Sequence, residues 1–190
     1  MTTTTGSQTI STTTSWKIDP AHTLVEFTAK HMMITNVRGR FANVEGKIVV
    51  DEAKPGRSSV EVEIDAASID TRAEQRDQHL RSADFLDVEN NPKLTFRSTK
   101  VEGASLEPGK SFRVTGDLTI HGTTREVVLD ATFEGRGRDP WGGERVSFSA
   151  DTKIDRRDFG LTWNAALEAG GVLVGNEIKI HIEAQAVLEG

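Results

Sequence analysis

Five histidines and two groups of charged residues are what this 190-residue chain offers for proton transfer or metal binding. The histidines are His22, His31, His79, His121 and His181, and the charged groups are Arg76 with Asp77 and Asp155 with Arg156 and Asp158. No two histidines stand at His-x-His or His-x3-His spacing, and none joins a carboxylate in a metal-binding helix pattern. No metal site is expected. There is no cysteine, which removes disulfides, thiol nucleophiles and thiolate ligands and fits a reducing cytoplasm. His181 falls on the polar face of an alternating segment and His121 precedes Gly122 in a tight hairpin, so both read as surface or turn residues. Carboxylates with no nucleophile or metal in reach make a poor active site. Arg76 and Asp77, adjacent on a helix, do not share a face and need partners elsewhere, so ion pairing that pins the helix and the strand end is the expected role of these groups. An enzyme reading would rest on His31, His79 and Asp155 acting on a lipid or quinone-like substrate; the favoured reading has no catalytic residue and no cofactor.

The elements that carry these residues are strands. Residues 177–187 alternate strictly, with Ile178, Ile180, Ile182, Ala184 and Ala186 on one face and Glu177, Lys179, His181, Glu183 and Gln185 on the other. Similar alternation marks residues 16–18, 22–31, 40–51, 60–65, 94–101, 111–121, 126–134 and 145–154, joined by short Gly or Pro punctuation. That is the pattern of an antiparallel meander, and eight strands suffice to close a barrel around a small ligand. Alanine and glycine recur on the apolar faces: Ala29, Gly116, Ala131, Ala150 and Ala184. A packed interior rarely tolerates missing methyl groups, so the small residues predict a bore that a ligand fills.

One stretch, residues 70–92, breaks the alternation. Thr71 followed by Glu74 has the form of a capping box, which predicts a short helix starting at Arg72 and ending near Arg81. Ser82 then caps a further turn carrying Phe85 and Leu86, and Asn90-Asn91-Pro92 stops it. Leu80, Phe85 and Leu86 on this helix and turn would face the barrel mouth as a plug or lid. Glycines at 135–143 and 170–175 do not link a strand to a helix, so they read as hairpin turns or rims and not as phosphate loops. Trp141 in the first of these is either a membrane-surface contact or, more commonly for a lone loop tryptophan, packed on its own turn.

Residues 1–15 are almost all Thr, Ser, Gly and Gln and read as a disordered tail, leaving residues 16–190 as one barrel domain. The tail lacks a basic region followed by an apolar run, so no secretory signal is expected and a cytoplasmic location follows for the chain as given. Hydrophobic residues make up 36% of the chain and never run for about eighteen in a row, so no transmembrane segment is expected. A net charge of −6 without a basic stripe disfavours nucleic acid.

Five motifs in order carry a family resemblance. They are residues 16–22 with Phe27 and Lys30-His31; residues 76–85; residues 91–96; residues 116–122; and residues 155–160. Together they resemble the YceI-like proteins, lipid-binding barrels with a lipocalin-like outline, from Trp16 to about Leu188. The resemblance implies an all-β fold, an eight-stranded antiparallel barrel whose interior holds a polyisoprenoid, an isoprenoid quinone or a fatty-acid derivative. Many relatives are periplasmic; that location is not carried over to a chain without a signal.

On this reading the channel is lined by Phe27, Ala29, Phe41, Leu80, Phe85, Leu86, Phe96, Leu118, Leu129, Phe148, Ala150, Phe159 and Trp163. A chain of about forty carbons, at roughly 0.3 kcal/mol per atom, would gain about 12 kcal/mol, near-nanomolar affinity. A polar head group would meet Arg38 and Arg40, flanking Gly39 at an expected bend, and His31, His79 or Arg156. Each of these has a plainer role as a solvated arginine or a hydrogen-bonded wall histidine. A ligand-free interaction or stress-response module with a filled core is the third reading, and a homodimer is left open.

Overall fold

β-Branched and aromatic residues alternating with charged ones drive the chain into eleven strands, seen in a computed structural model that describes residues 13–190. They are β1 (Thr13–Ile18), β2 (Leu24–His31), β3 (Thr35–Phe41), β4 (Val44–Asp51), β5 (Ser59–Asp65), β6 (Ile69–Asp70), β7 (Lys93–Glu102), β8 (Lys110–Ile120), β9 (Thr123–Arg138), β10 (Glu144–Asp155) and β11 (Val174–Leu188). All pairings are antiparallel. β1 and β2 pair in turn with the same edge of β11, Trp16 opposite Leu188 and Val25 opposite Ile182, so they form one interrupted strand. β3 and β4 likewise continue one another against β2 and β1, and β6 and β5 against β3 and β4. Counted this way the ring has eight strands and closes between β11 and β1/β2, an eight-stranded antiparallel barrel.

Several expectations of the sequence need correcting. The segment taken as one strand over residues 40–51 is two, β3 and β4, and β3 reaches back to Thr35 through a turn at Met32 and Met33 that contains neither Gly nor Pro. Gly39 is therefore mid-strand and not at a bend: a Cβ there would stand 2.4 Å from Cζ of Phe27, so the missing side chain is the space that the ring occupies. Gly135 and Gly137 belong to β9, with Gly135 (φ 147°) at the bulge where the β9–β10 register shifts. Of the expected tail, Thr13 to Ser15 lie in β1 opposite β4; the remainder falls outside the described residues.

The one α-helix among the described residues, α1 (Glu74–Arg81), stands between β6 and β7 and covers the end of the barrel that also carries the β2–β3 turn, the His121-Gly122 turn and the segment 156–173. Its start is not a capping box. Ala73 is the N-cap without a side-chain bond, and the Thr71 hydroxyl instead donates to the carboxylate of Asp77 at 2.5 Å, with the Thr71 N–H reaching the same oxygen at 2.9 Å. Arg72 explains the difference: its left-handed φ of 62° turns the chain between Thr71 and the helix, so Thr71 packs beneath the helix and not at its head. Arg76 donates to the Thr71 hydroxyl (2.7 Å) and carbonyl (2.8 Å), and Arg81 to the carbonyls of Ala67 and Ile69. The partners that Arg76 and Asp77 require are thus a threonine and its backbone. Asp77 and Thr71 are both buried, and their mutual satisfaction is what makes that burial tolerable.

Candidate functional site

The inner faces of β2, β5, β7, β8, β9, β10 and β11 surround a cavity of about 320 Å³ whose wall is almost wholly apolar. Small and large residues alternate around it: Ala131 opposes Phe112 and Ala150, Ala184 opposes Phe148, and Gly116 opposes Ser98 beside Phe96. Gly116 does not widen the bore as expected. A Cβ there would meet the Phe96 ring at 2.5 Å, so this glycine seats a wall aromatic. The alanines do leave room. Phe27, Phe96, Phe112, Phe148, Ile178, Ile180 and Ile182 all point inward yet remain only half-buried, because on their inner side they meet space and not protein.

The hollow is confined to part of the interior. At the end where β1 begins, Trp16, Ile18, Ile48, Val50, Phe133, Val146 and Ala186 pack into a closed floor, with Ala186 fully buried. At the other end Phe41, Val44, Leu86, Leu94, Ile120 and Phe159 pack below α1. Between them the cavity reaches Leu80, Phe85 and Leu86 of the lid at one extreme and Pro55, Ser58, Ser105 and Leu106 at the other. The filled-core arrangement is not the one observed.

Of the thirteen residues expected to line a channel, eleven border this cavity: Phe27, Ala29, Phe41, Leu80, Phe85, Leu86, Phe96, Leu118, Leu129, Phe148 and Ala150. Phe159 and Trp163 do not. Phe159 is almost fully buried because a 3-10 helix (Arg156–Phe159), ended by Gly160 at φ 75°, turns its ring into the cluster below the lid. Trp163 packs edge-on to His79 (4.6 Å between ring centres) and against Phe85 (5.3 Å), clasping α1. Residues that strand patterning left out of the lining, Phe112, Val60, Val62 and Ile182 among them, shared the right faces all along; Leu161, Val174 and Leu106 come from irregular segments or strand ends where alternation gives no signal.

The expected head-group contacts are also redistributed. Alternation turns Gly39 inward and therefore Arg38 and Arg40 outward, away from the bore; Arg40 pairs with Asp70 at 3.4 Å. His31 is half-buried at the end of β2 and does not border the cavity. His79 Nε2 bonds Asp84 at 2.9 Å on the outer side of the lid. Arg156 does border the cavity, but its guanidinium is consumed: it donates to the carbonyls of Leu161 (2.6 Å), Trp163 (2.9 Å), Gly175 (3.0 Å) and Val174 (3.4 Å) and to Asn176 Oδ1 (3.4 Å). Buried without a bonded carboxylate, its pKa is pushed down by desolvation, and its work is to strap the segment 156–164 to β11.

The residues of the enzyme reading are not brought together. His79 bonds Asp84, while Asp155 is gripped by the Arg157 guanidinium (2.5 to 3.1 Å) and its N–H (2.9 Å). Those bonds hold the Asp155 carboxyl at about 2, far too acidic for a general base near neutrality. No hydrogen bond or ion pair joins His31, His79 and Asp155, and no cluster of three or more potential metal ligands occurs, among the described residues. No helix among them is long and apolar enough to cross a membrane.

Comparison with known proteins places this geometry. Residues 16–186 match the YceI-like domain. A UPF0312 protein of Serratia proteamaculans is 42% identical over 149 residues, covering 77% of this chain and 76% of its own. Another from Vibrio cholerae is 39% identical over 164 residues, 86% and 82% of the two chains. The crystal structure of the Campylobacter jejuni YCEI protein superposes with a TM-score of 0.70 at 32% identity, over 85% of this chain and 90% of that one. Two more distant structures share the fold: Burkholderia cenocepacia BcnA (TM-score 0.76, 24% identity, 88% and 98% covered) and a polyisoprenoid binding domain from Saccharophagus degradans (0.70, 13%, 93% and 99%).

Proposed function

The chain belongs to the YceI-like family, and on that footing we propose that it is a binding protein without catalysis, one that carries or sequesters a long-chain amphiphile inside the barrel. A polyisoprenoid, an isoprenoid quinone and a fatty-acid derivative all fit this description. The observation that carries the reading is the set of inward aromatic and aliphatic side chains left accessible around an apolar void. A polar substrate would find little to replace its hydration, since the wall is mostly apolar, its hydroxyls are few, and the one charged residue bordering it among the described residues, Arg156, already has its donors engaged. The solved domain with this fold from Saccharophagus degradans is described as polyisoprenoid binding, which supports the same ligand class.

Magnitude narrows the proposal. Empty apolar space costs about 24 cal/mol per Å³, so filling 320 Å³ returns about 8 kcal/mol, a micromolar dissociation constant. That is less than the gain of about 12 kcal/mol for a wholly buried forty-carbon chain at roughly 0.3 kcal/mol per atom, and the packed cluster at Trp16 and Phe133 bounds the cavity on that side. A shorter chain, or one whose far end leaves past Leu106, matches the volume. Purified protein extracted with organic solvent and analysed by mass spectrometry should release a long-chain lipid at close to one per protein. An extract without such a lipid, together with failure to take up a fluorescent fatty acid, would overturn the proposal.

A further inference from the structure

The β2–β3 turn carries three consecutive exposed apolar side chains, and its backbone is strained to present them. Met32 and Met33 both adopt left-handed φ, 52° and 64°, with the Ile34 N–H closing onto the His31 carbonyl at 3.1 Å. Two successive positive φ values at the centre of a turn call for Asn-Gly or Gly-Gly, and a pair of long side chains raises the energy of this three-residue loop. What that strain holds outward is Met32, Met33 and Ile34, which are 42%, 57% and 75% exposed. Directly behind this tip on the outer face stand Lys30 and Arg38, with Arg72 two residues beyond the Arg40–Asp70 pairing. The side chains of Lys30 and Arg38 make no ion pair or hydrogen bond among the described residues; Arg72 lies within electrostatic reach of Asp70, and Glu168 sits in the adjoining loop.

The tip also adjoins the cavity. The Met32 N–H bonds the Leu173 carbonyl at 2.8 Å, and His31 pairs with Val174, which with Ala29 borders the void. We propose that Met32, Met33 and Ile34 insert into the surface of an anionic lipid bilayer, with Lys30, Arg38 and Arg72 on its phosphates, so that this end of the barrel docks where its lipid ligand is exchanged. The role in exchange rests on the lipid-binding reading; the docking itself does not. Cations behind an exposed apolar wedge, two of them without a carboxylate partner among the described residues, are the composition of an interfacial anchor. Trp141, exposed at the opposite end (88%), lacks this complement. Its neighbouring arginines Arg136, Arg138 and Arg145 are neutralised by Glu52, Glu144, Asp19 and Asp139.

Flotation of the full chain with vesicles of phosphatidylcholine, alone or with one third phosphatidylglycerol, tests the proposal. The protein should float with the anionic vesicles, weakly with neutral ones, and less as salt rises. Removing cations in Lys30→Ala and Arg38→Ala should weaken binding about fivefold each. The double variant Met33→Ser, Ile34→Ser should lose roughly tenfold or more while keeping the wild-type melting temperature and its uptake of a fatty acid dispersed in solution. Trp141→Ser should bind as wild type. Undiminished flotation of the double serine variant, or loss confined to Trp141→Ser, overturns the proposal. A tip-dependent dimer in sedimentation without vesicle binding also overturns it, making the occupant a second copy. Failure of uptake in every protein, with flotation intact, would instead sink the lipid-cavity reading and leave the docking surface standing.

Discussion

Two alanines on the same inner surface separate the hollow part of the barrel from the filled part. Ala150 faces Ala131 and Ile182 across its neighbouring strands and borders the cavity, whereas Ala186 is fully buried among Trp16, Ile18, Phe133 and Val146 in the floor. Replacing either with tryptophan adds roughly nine non-hydrogen atoms. At Ala150 these enter the void and displace about as many ligand atoms, which at about 0.3 kcal/mol each is about 2.7 kcal/mol, a hundredfold rise in Kd. The fold should tolerate the change, since the ring meets space. At Ala186 the same ring has nowhere to go, and overpacking of a closed cluster costs about 1–3 kcal/mol, about 2–4 °C in Tm for each kcal/mol in a chain of this size. Titration with a fluorescent fatty acid and thermal unfolding followed by circular dichroism read the two effects. Ala150→Trp should lose uptake with little change in Tm, and Ala186→Trp should lose Tm. If Ala150→Trp destabilises as much as Ala186→Trp, the bore is filled; if it is stable and binds ligand undiminished, Ala150 does not line the site.

Gly39→Ala should push the Phe27 ring into the void, since a Cβ would lie 2.4 Å from it and 2.7 Å from Thr71 Cγ2; uptake falls and stability drops by about 1–3 kcal/mol, seen in the same two assays. Asp77→Ala leaves the Thr71 N–H without its acceptor and should cost about 2 kcal/mol, with faster amide exchange across residues 71–86 as the lid loosens, measured by mass spectrometry. Unchanged exchange there would refute the pinning role of this pair. His181 is drawn up in pKa by its bond to Asp151 and then by Glu183, so its ring should titrate above 6.5 by NMR and fall back in Asp151→Asn. Because the folded value is the raised one, the small stabilisation it brings is complete below pH 6.5 and disappears as pH rises through the folded value. Asp155 is the opposite case: its carboxyl, held at about 2, stabilises the fold above its ordinary 3.8 and loses that contribution as pH falls from there through 2, so Asp155→Asn should flatten the stability profile in that range.

Strict alternation over residues 177–187, 60–65 and 126–134 determines which side chains share a face, because the strand period is two whatever the tertiary context. That is why the inward orientation of Phe27, Ala29, Phe96, Leu118, Leu129, Phe148 and Ala150 was legible in the chain, whereas Leu80, Phe85 and Leu86 lie on the helix and turn, outside any strand. The five ordered motifs added the closure into eight strands, which periodicity alone does not supply. Where the backbone leaves that period, local pattern loses its hold. Thr71 and Glu74 have the spacing of a capping box, but a left-handed Arg72 sends the threonine under the helix to Asp77. Arg156 looks like a solvated arginine beside a strand end, and only the return of residues 161–176 around it reveals five acceptors. The turn at Met32 and Met33 contains no turn-forming residue, so its left-handed geometry and its exposure come from the pairing of β2 with β3. The sequence by itself determined the faces and the small residues on them; the tertiary structure decided which of those small residues stay empty. Gly39 and Gly116 are filled by rings from neighbouring strands, while Ala150 and Ala184 remain open, since whether a gap is occupied depends on side chains far away along the chain.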